Sequence, residues 1–122
     1  ETYSDLHHYA RMGLYKSNAD NEYVNYVKPQ EHGNHYGAKM LDIENSLKFA
    51  ADSRFEFNVS HYNAKTLEYA KHTDELVKDK ATNVRIDYKV SGVGSGSCGP
   101  QLAEKYQLNE KNIKMNFWIK NK

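Results

Sequence analysis

Cysteine occurs once in the 122 residues, as Cys98, which excludes an internal disulfide framework and leaves the redox compartment open. Neither sign of charge is in excess: 17 Lys and Arg face 16 Asp and Glu, so no net field draws in nucleic acid or an anionic membrane, and neither is expected as a partner. No stretch approaches the ~20 consecutive apolar residues of a membrane span. An initiator Met is also missing. The chain opens on Glu1 with no basic and apolar leader, so the native N-terminus is expected to have been removed and the chain to be an excised segment. Internal repeats, charge blocks and low-complexity linkers are absent too, which leaves one domain or a piece of one, with room for a single core. Against these absences stand ten Tyr, whose apolar faces and polar rims suit half-buried strands, interfaces and sugar surfaces alike.

The organisation is mostly strand-like. Val84, Ile86, Tyr88 and Val90 alternate with Arg85, Asp87 and Lys89, the period of two expected when one face of a strand meets a core. Ile113, Met115, Phe117 and Ile119 alternate in the same way with Lys114, Asn116, Trp118 and Lys120, and Phe55, Phe57 and Val59 with Glu56 and Asn58. Weaker runs at Tyr23 to Val27, Lys39 to Ile43 and Ser46 to Phe49 bring the expectation to about six strands. One segment departs from the pattern: after Asn63, a suitable N-cap, Leu67, Ala70 and Leu76 or Val77 recur at helical spacing. Turns are expected at His32-Gly33-Asn34, from Gly92 to Pro100 and at Leu108-Asn109-Glu110. The first thirty residues hold no steady period and read as irregular, extended chain packed on something larger.

The motifs that carry chemistry elsewhere fail here on context. GVGSGSCG has the glycines of a dinucleotide loop and follows a strand, but Pro100 comes directly after Gly99, so no long helix opens there to receive a pyrophosphate. A turn with glycines is the simpler reading. His7-His8 and the pair His32 and His35 are the nearest approach to metal-ligand spacing, without a Cys pair or acidic cluster to complete a site. His61 and His72, flanking the helix, read as hydrogen-bonded structural histidines. Cys98 lacks an orienting group for nucleophilic work. Glycoside hydrolysis needs two carboxylates at the scissile bond, and nothing distinguishes any two of Glu31, Asp42, Glu44, Asp52, Glu56, Glu68, Asp74 and Glu75 from ordinary acids.

Taken in register, several blocks resemble the C-terminal end of the large bacterial lac-type β-galactosidases, glycoside hydrolases of family 2. Tyr3-Ser4-Asp5 and then Tyr23, Tyr26-Val27 and Pro29 follow the YPD and YxxPYVxP run; Gln30 to Lys39 resembles PxENGxRxxxR, with His35 and Lys39 at basic positions usually held by Arg. Phe55 to Ser60 with Tyr62 corresponds to FxFNxSxY; Leu67, Ala70, His72, Glu75 and Leu76 to LxxAxHxxEL; Asp87, Gly92, Gly94, Cys98, Gly99 and Pro100 to DxxxxGxGxxxCGP. The resemblance runs from Tyr3 to Lys122.

What the resemblance implies is an all-β fold: an antiparallel β-sandwich with one short helix, part of a larger supersandwich, with residues 1–122 forming the C-terminal segment of the terminal domain. The implied function is non-catalytic. In these enzymes the acid and nucleophile, both Glu, lie in a barrel upstream, so this segment would support the barrel, line the outer sugar pocket and be inactive alone, while the full enzyme hydrolyses lactose and other β-galactosides. Magnesium and sodium, used by full enzymes of the family, would bind elsewhere, with no cofactor in this segment. The implied partners are the remainder of the polypeptide, the galactoside, and further copies in a homo-oligomer, in the cytoplasm in preference to the periplasm. A Trp four residues before the FxFN block reaches the sugar in a known member of the family; that position here is Ala51, which offers no stacking face. Phe49 and Asp52 are the substitutes to consider, with His35 and Lys39 as basic groups near the same loop. Two other readings are a free-standing carbohydrate-binding sandwich and an assembly piece with no sugar contact.

Overall fold

The computed structural model describes residues 14–91 and 99–122. Its centre is a four-stranded antiparallel sheet built on one long strand, β2 (Leu47–Ser60), which pairs along one edge with β1 (His35–Asp42). The connection is a tight hairpin in which the Ile43 amide donates to the Leu47 carbonyl at 2.8 Å, and Asn45 takes a left-handed φ of 55°, a conformation Asn tolerates. On the opposite edge the last five residues of β2 pair with β3 (Asn83–Asp87) and the first five with β4 (Phe117–Asn121). Two strands thus lie end to end along one side of β2.

The core is small and aromatic. Phe55 is fully buried and Phe49 is 4% exposed, their rings edge-to-face at 4.9 Å. Such burial stabilises by roughly 1.5–3 kcal/mol per side chain. Leu67 in α2 (Ala64–Tyr69) and Ala70 at its C-cap are buried as well. Asn63 caps that helix as the sequence indicates, its Oδ1 accepting from the Thr66 amide at 2.9 Å. Its Nδ2 also donates to Asp79, which accepts from Asn83 as well, so one carboxylate fastens the helix start to the start of β3.

The antiparallel, all-β expectation with short helical pieces therefore holds, with four strands among the described residues instead of six. Ser46 to Phe49 and Phe55 to Val59 are two parts of one strand, because residues 50–54 stay extended between them. Tyr23 to Val27 forms no strand: Lys28 donates to the Ala70 carbonyl and Thr73 to the Tyr26 carbonyl, which holds this run against α2. A short helix, α1 (Ala19–Glu22), precedes it, capped by Asn18. β3 stops at Asp87, short of Val90, because the Val90 amide donates to the Glu56 side chain, out of the ladder, at 3.2 Å. The helix ends at Tyr69, well before Val77, since Ala70 turns extended and Val77 meets no core. A separate 3₁₀ turn follows at Thr73–Glu75. Strand β4 begins at Phe117, not Ile113. The readings made on Tyr3 to Asp5, His7-His8 and Cys98, and most of the Gly92 to Pro100 loop, fall outside the described residues.

Candidate functional site

Strand β2 leaves regular pairing in its middle. Against β1, Ala38 is opposite Phe55 and Met40 is opposite Ala50, so the single residue Lys39 faces four, Ala51 to Arg54. On the other edge β4 ends at Ala51 and β3 begins at Glu56, which leaves residues 52–55 in the seam between two strands. A wide bulge and a seam at the same place bend a strand and turn its side chains out of the regular pleat. Three of the expected site residues, Lys39, Ala51 and Asp52, meet here for that reason.

Asp52 and Lys39 are exposed. The Asp52 carboxylate accepts from Asn116 Nδ2 at 2.7 Å, and its amide donates to the Asn116 carbonyl at 3.2 Å. The side-chain hydrogen bond from Asn116 holds the Asp52 carboxyl below its ordinary range, keeping it ionised and fixed in direction. Arg54 reaches across the bulge to the Gly37 carbonyl at 3.3 Å. Gly37, with φ of 70°, sits in a second, smaller irregularity of β1, between His35 opposite Phe57 and Ala38 opposite Phe55.

The other two expected residues stand apart from this seam. His35 stacks on Phe57 at 4.7 Å and its Nε2 lies 2.7 Å from the Glu22 carboxylate. Burial works against the charge of Glu22, yet hydrogen bonds from Ser17 and His35 outweigh it and hold that carboxyl below its ordinary range. The pair locks α1 onto the sheet. Phe49 must be corrected as a sugar platform: one side of its ring meets Phe55, and Phe117 stacks on it at 5.2 Å, so no open face is left. The exposed aromatic at the seam is Phe117, directly across from Ala51 in the register and 53% exposed, with Trp118 beside it. It stood in the sequence only as the core-facing side of an alternating strand.

Glu56 is the carboxylate that sequence reasoning left among ordinary acids. It is buried, and one oxygen, Oε2, accepts from Asn34 Nδ2 at 2.6 Å and from the Val90 amide at 3.2 Å. Burial pushes its pKa up. Asp87 is its cross-strand partner, so the two resemble an acid and base pair on paper. The burial of Glu56 leaves no room for a glycosidic oxygen, and Asp87 is engaged by Arg85 at 2.7 Å. The histidines separate as well: His32 accepts from the Val24 amide at 3.3 Å while His35 turns to Glu22. Among the described residues no three His, Cys, Asp or Glu side chains converge as a metal-ligand group. His72 is hydrogen-bonded, to Glu75 at 3.3 Å.

Residues 1–119 match the model of the family described as the beta galactosidase small chain. The chain belongs to that family. Among the relatives of this small-chain segment are proteins named beta-galactosidase from Actinobacillus pleuropneumoniae, 44% identical over 117 residues, and from Staphylococcus xylosus, 39% identical over 98. A third, from Pseudoalteromonas haloplanktis, is 34% identical over 120 residues. These alignments cover 96%, 78% and 98% of the small-chain segment but only 12%, 10% and 11% of the relatives. The segment thus spans about one-eighth or less of the relatives it matches.

Proposed function

We propose that this chain is a non-catalytic part of a β-galactosidase, the C-terminal segment of its terminal sandwich domain, which supports the catalytic barrel and lines the outer part of the sugar pocket. The observation that carries the reading is the match over nearly the whole chain to proteins of that name, about eight times longer. Two structural features support it. Among the described residues the paired carboxylates Glu56 and Asp87 are not open to a substrate as a pair, because Glu56 is buried and Asp87 is held by Arg85. Strand β4 is exposed along its whole length, Phe117, Trp118 and Ile119 each by more than half, and so large a run of exposed apolar surface marks an interface.

In this reading the rest of the polypeptide covers most of β4, and the bulge at residues 51–54 faces the sugar. Asp52, held by Asn116, is placed to accept hydrogen bonds from sugar hydroxyls, Lys39 lies across the bulge, and Phe117 offers the apolar face that Ala51 lacks. His35 serves the site indirectly by fixing β1. Galactosides such as lactose are the substrates, hydrolysis with retention proceeds on residues outside this chain, and magnesium and sodium bind outside it too. The full enzyme is a cytoplasmic homo-oligomer. The test is complementation: residues 1–122 are added to a β-galactosidase lacking its equivalent segment, and hydrolysis is assayed. Activity on mixing, and from neither piece alone, is the expected result; hydrolysis by the isolated segment refutes the reading.

A further inference from the structure

The sheet turns a second apolar surface to solvent, on the side away from Phe49. Side chains directly across an antiparallel ladder share a face, and the register sets Met40, Ala50 and Trp118 in one row across β1, β2 and β4. Successive side chains of a strand point to opposite faces, so this row and Phe49 lie on different sides of the sheet. Met40 is 46% exposed and Trp118 59%, with only the methyl group of Ala50 between them.

The next row on the same face is charged. Asp42, Lys48 and Lys120 stand opposite one another, two residues along the strands and so about 6.7 Å from the apolar row. Asp42, the acid of the row, is engaged by Lys122, just past the end of β4. Neither Lys48 nor Lys120 has an ion pair or a side-chain hydrogen bond among the described residues. Like charges directly across a ladder are destabilising, so the pair of lysines calls for a counter-charge. The apolar row calls for a cover. A helix with its side chains is about 10 Å wide, so whatever sits on Met40 and Trp118 also shields the lysines. Ammonium groups taken out of water must be paired, and Asp42 is already committed. The cover therefore brings carboxylates with it.

We propose that this face docks an acidic segment of the remaining polypeptide, which lays an apolar residue on Met40 and Trp118 and sets carboxylate oxygens against Lys48 and Lys120. Taking the segment from the same polypeptide rests on the β-galactosidase reading above, in which most of the chain lies outside residues 1–122, as it does in relatives about eight times longer. A second copy of this face fits less well. In a two-fold contact each patch meets its own twin, and two patches that both carry Lys48 and Lys120 repel.

The test treats the full-length protein, as a mixture of isotope-labelled and unlabelled copies, with a carbodiimide, which joins a lysine amine to a carboxylate only where the two are in contact. Digestion and mass spectrometry are expected to yield a peptide in which Lys48 or Lys120 is joined to an Asp or Glu outside residues 1–122 of the same copy. The double variant Lys48→Gln, Lys120→Gln strands those carboxylates and is expected to speed heat inactivation at least about tenfold. Joining only within residues 1–122, joining between copies, or no joined product from either lysine overturns the proposal, and so does an unchanged inactivation rate in the double variant. Neither readout depends on which substrate is hydrolysed, so a failure of the β-galactosidase reading shows separately, in the hydrolysis assay.

Discussion

Glu56 is the one buried ionisable side chain among the described residues, and it joins three separate parts of the chain. Its Oε2 accepts both from Asn34, the residue before β1, and from the Val90 amide, between β3 and the glycine-rich run. Replacing Glu56 with Ala strands both donors in a buried setting, at about 1–3 kcal/mol each. Allowing for partial relaxation, local opening at Val90 becomes easier by roughly 2–4 kcal/mol, equivalent to ~30- to 1000-fold faster amide exchange. Glu56→Gln behaves differently, because a single amide oxygen is able to receive both bonds once it sits where Oε2 does. The sign of the pH effect follows from the raised folded pKa. The contribution of the Glu56 carboxyl is full below its unfolded pKa and is lost as pH rises through the raised folded value. Glu56→Gln, with no charge to bury, therefore matches the wild type in acid and protects Val90 equally well or better at neutral pH and above. Hydrogen–deuterium exchange of the full-length protein, corrected for the intrinsic rate at each pH, reads this directly. The reasoning fails if Glu56→Gln loosens Val90 as much as Glu56→Ala, or if neither substitution changes its protection.

Other substitutions test neighbouring steps. Phe49→Ala empties the middle of the aromatic core and is expected to cost about 3–5 kcal/mol, seen as a lower denaturant midpoint or, in the full enzyme, faster heat inactivation. Asn63→Ala removes the cap of α2 and a tie to Asp79, costing about 1–2 kcal/mol in the same measurement. The lowered pKa of Glu22 contributes stability that is present above the unfolded carboxyl pKa and is lost as pH falls through the folded value. Glu22→Gln is thus expected to flatten the acid limb of the stability profile below about pH 4.5. Phe117→Ala in the full enzyme is expected to raise KM, or to weaken binding of an acceptor sugar, with folding intact; unchanged kinetics together with unchanged Asp52→Asn kinetics would exclude the seam as a sugar surface.

Where local chemistry decides structure, the sequence was a sound guide. The Asn63 cap and the buried sides of Phe49 and Phe55 follow from residue type and period, and Gly33 takes the positive φ of 75° that glycine permits, although the chain forms no turn at His32 to Asn34. The misjudged boundaries share another cause: a backbone group that left its ladder for a side chain far away in sequence. Val90 turns to Glu56, 34 residues earlier, and thereby ends β3. Lys28 and Thr73 hold the segment around Tyr26 across more than 40 residues, which keeps it out of any sheet. Alternation of apolar and polar letters contains no trace of such partners.

The seam in β2 shows why the site was half legible. Aligned letters located Ala51 and Asp52 and showed that an aromatic was missing, but a loop was expected there and the backbone is a strand. The pairing of Ala51 with Phe117 is a long-range fact of register, fixed by the hydrophobic faces of β2 and β4. A slip of one residue would move Trp118 to the face that Phe117 now shares with Ala51 and bring Phe117 to the other side. The aromatic surface beside Asp52 is therefore a property of how two strands meet, and any substitution that shifts that register, even one remote from the seam, will alter it.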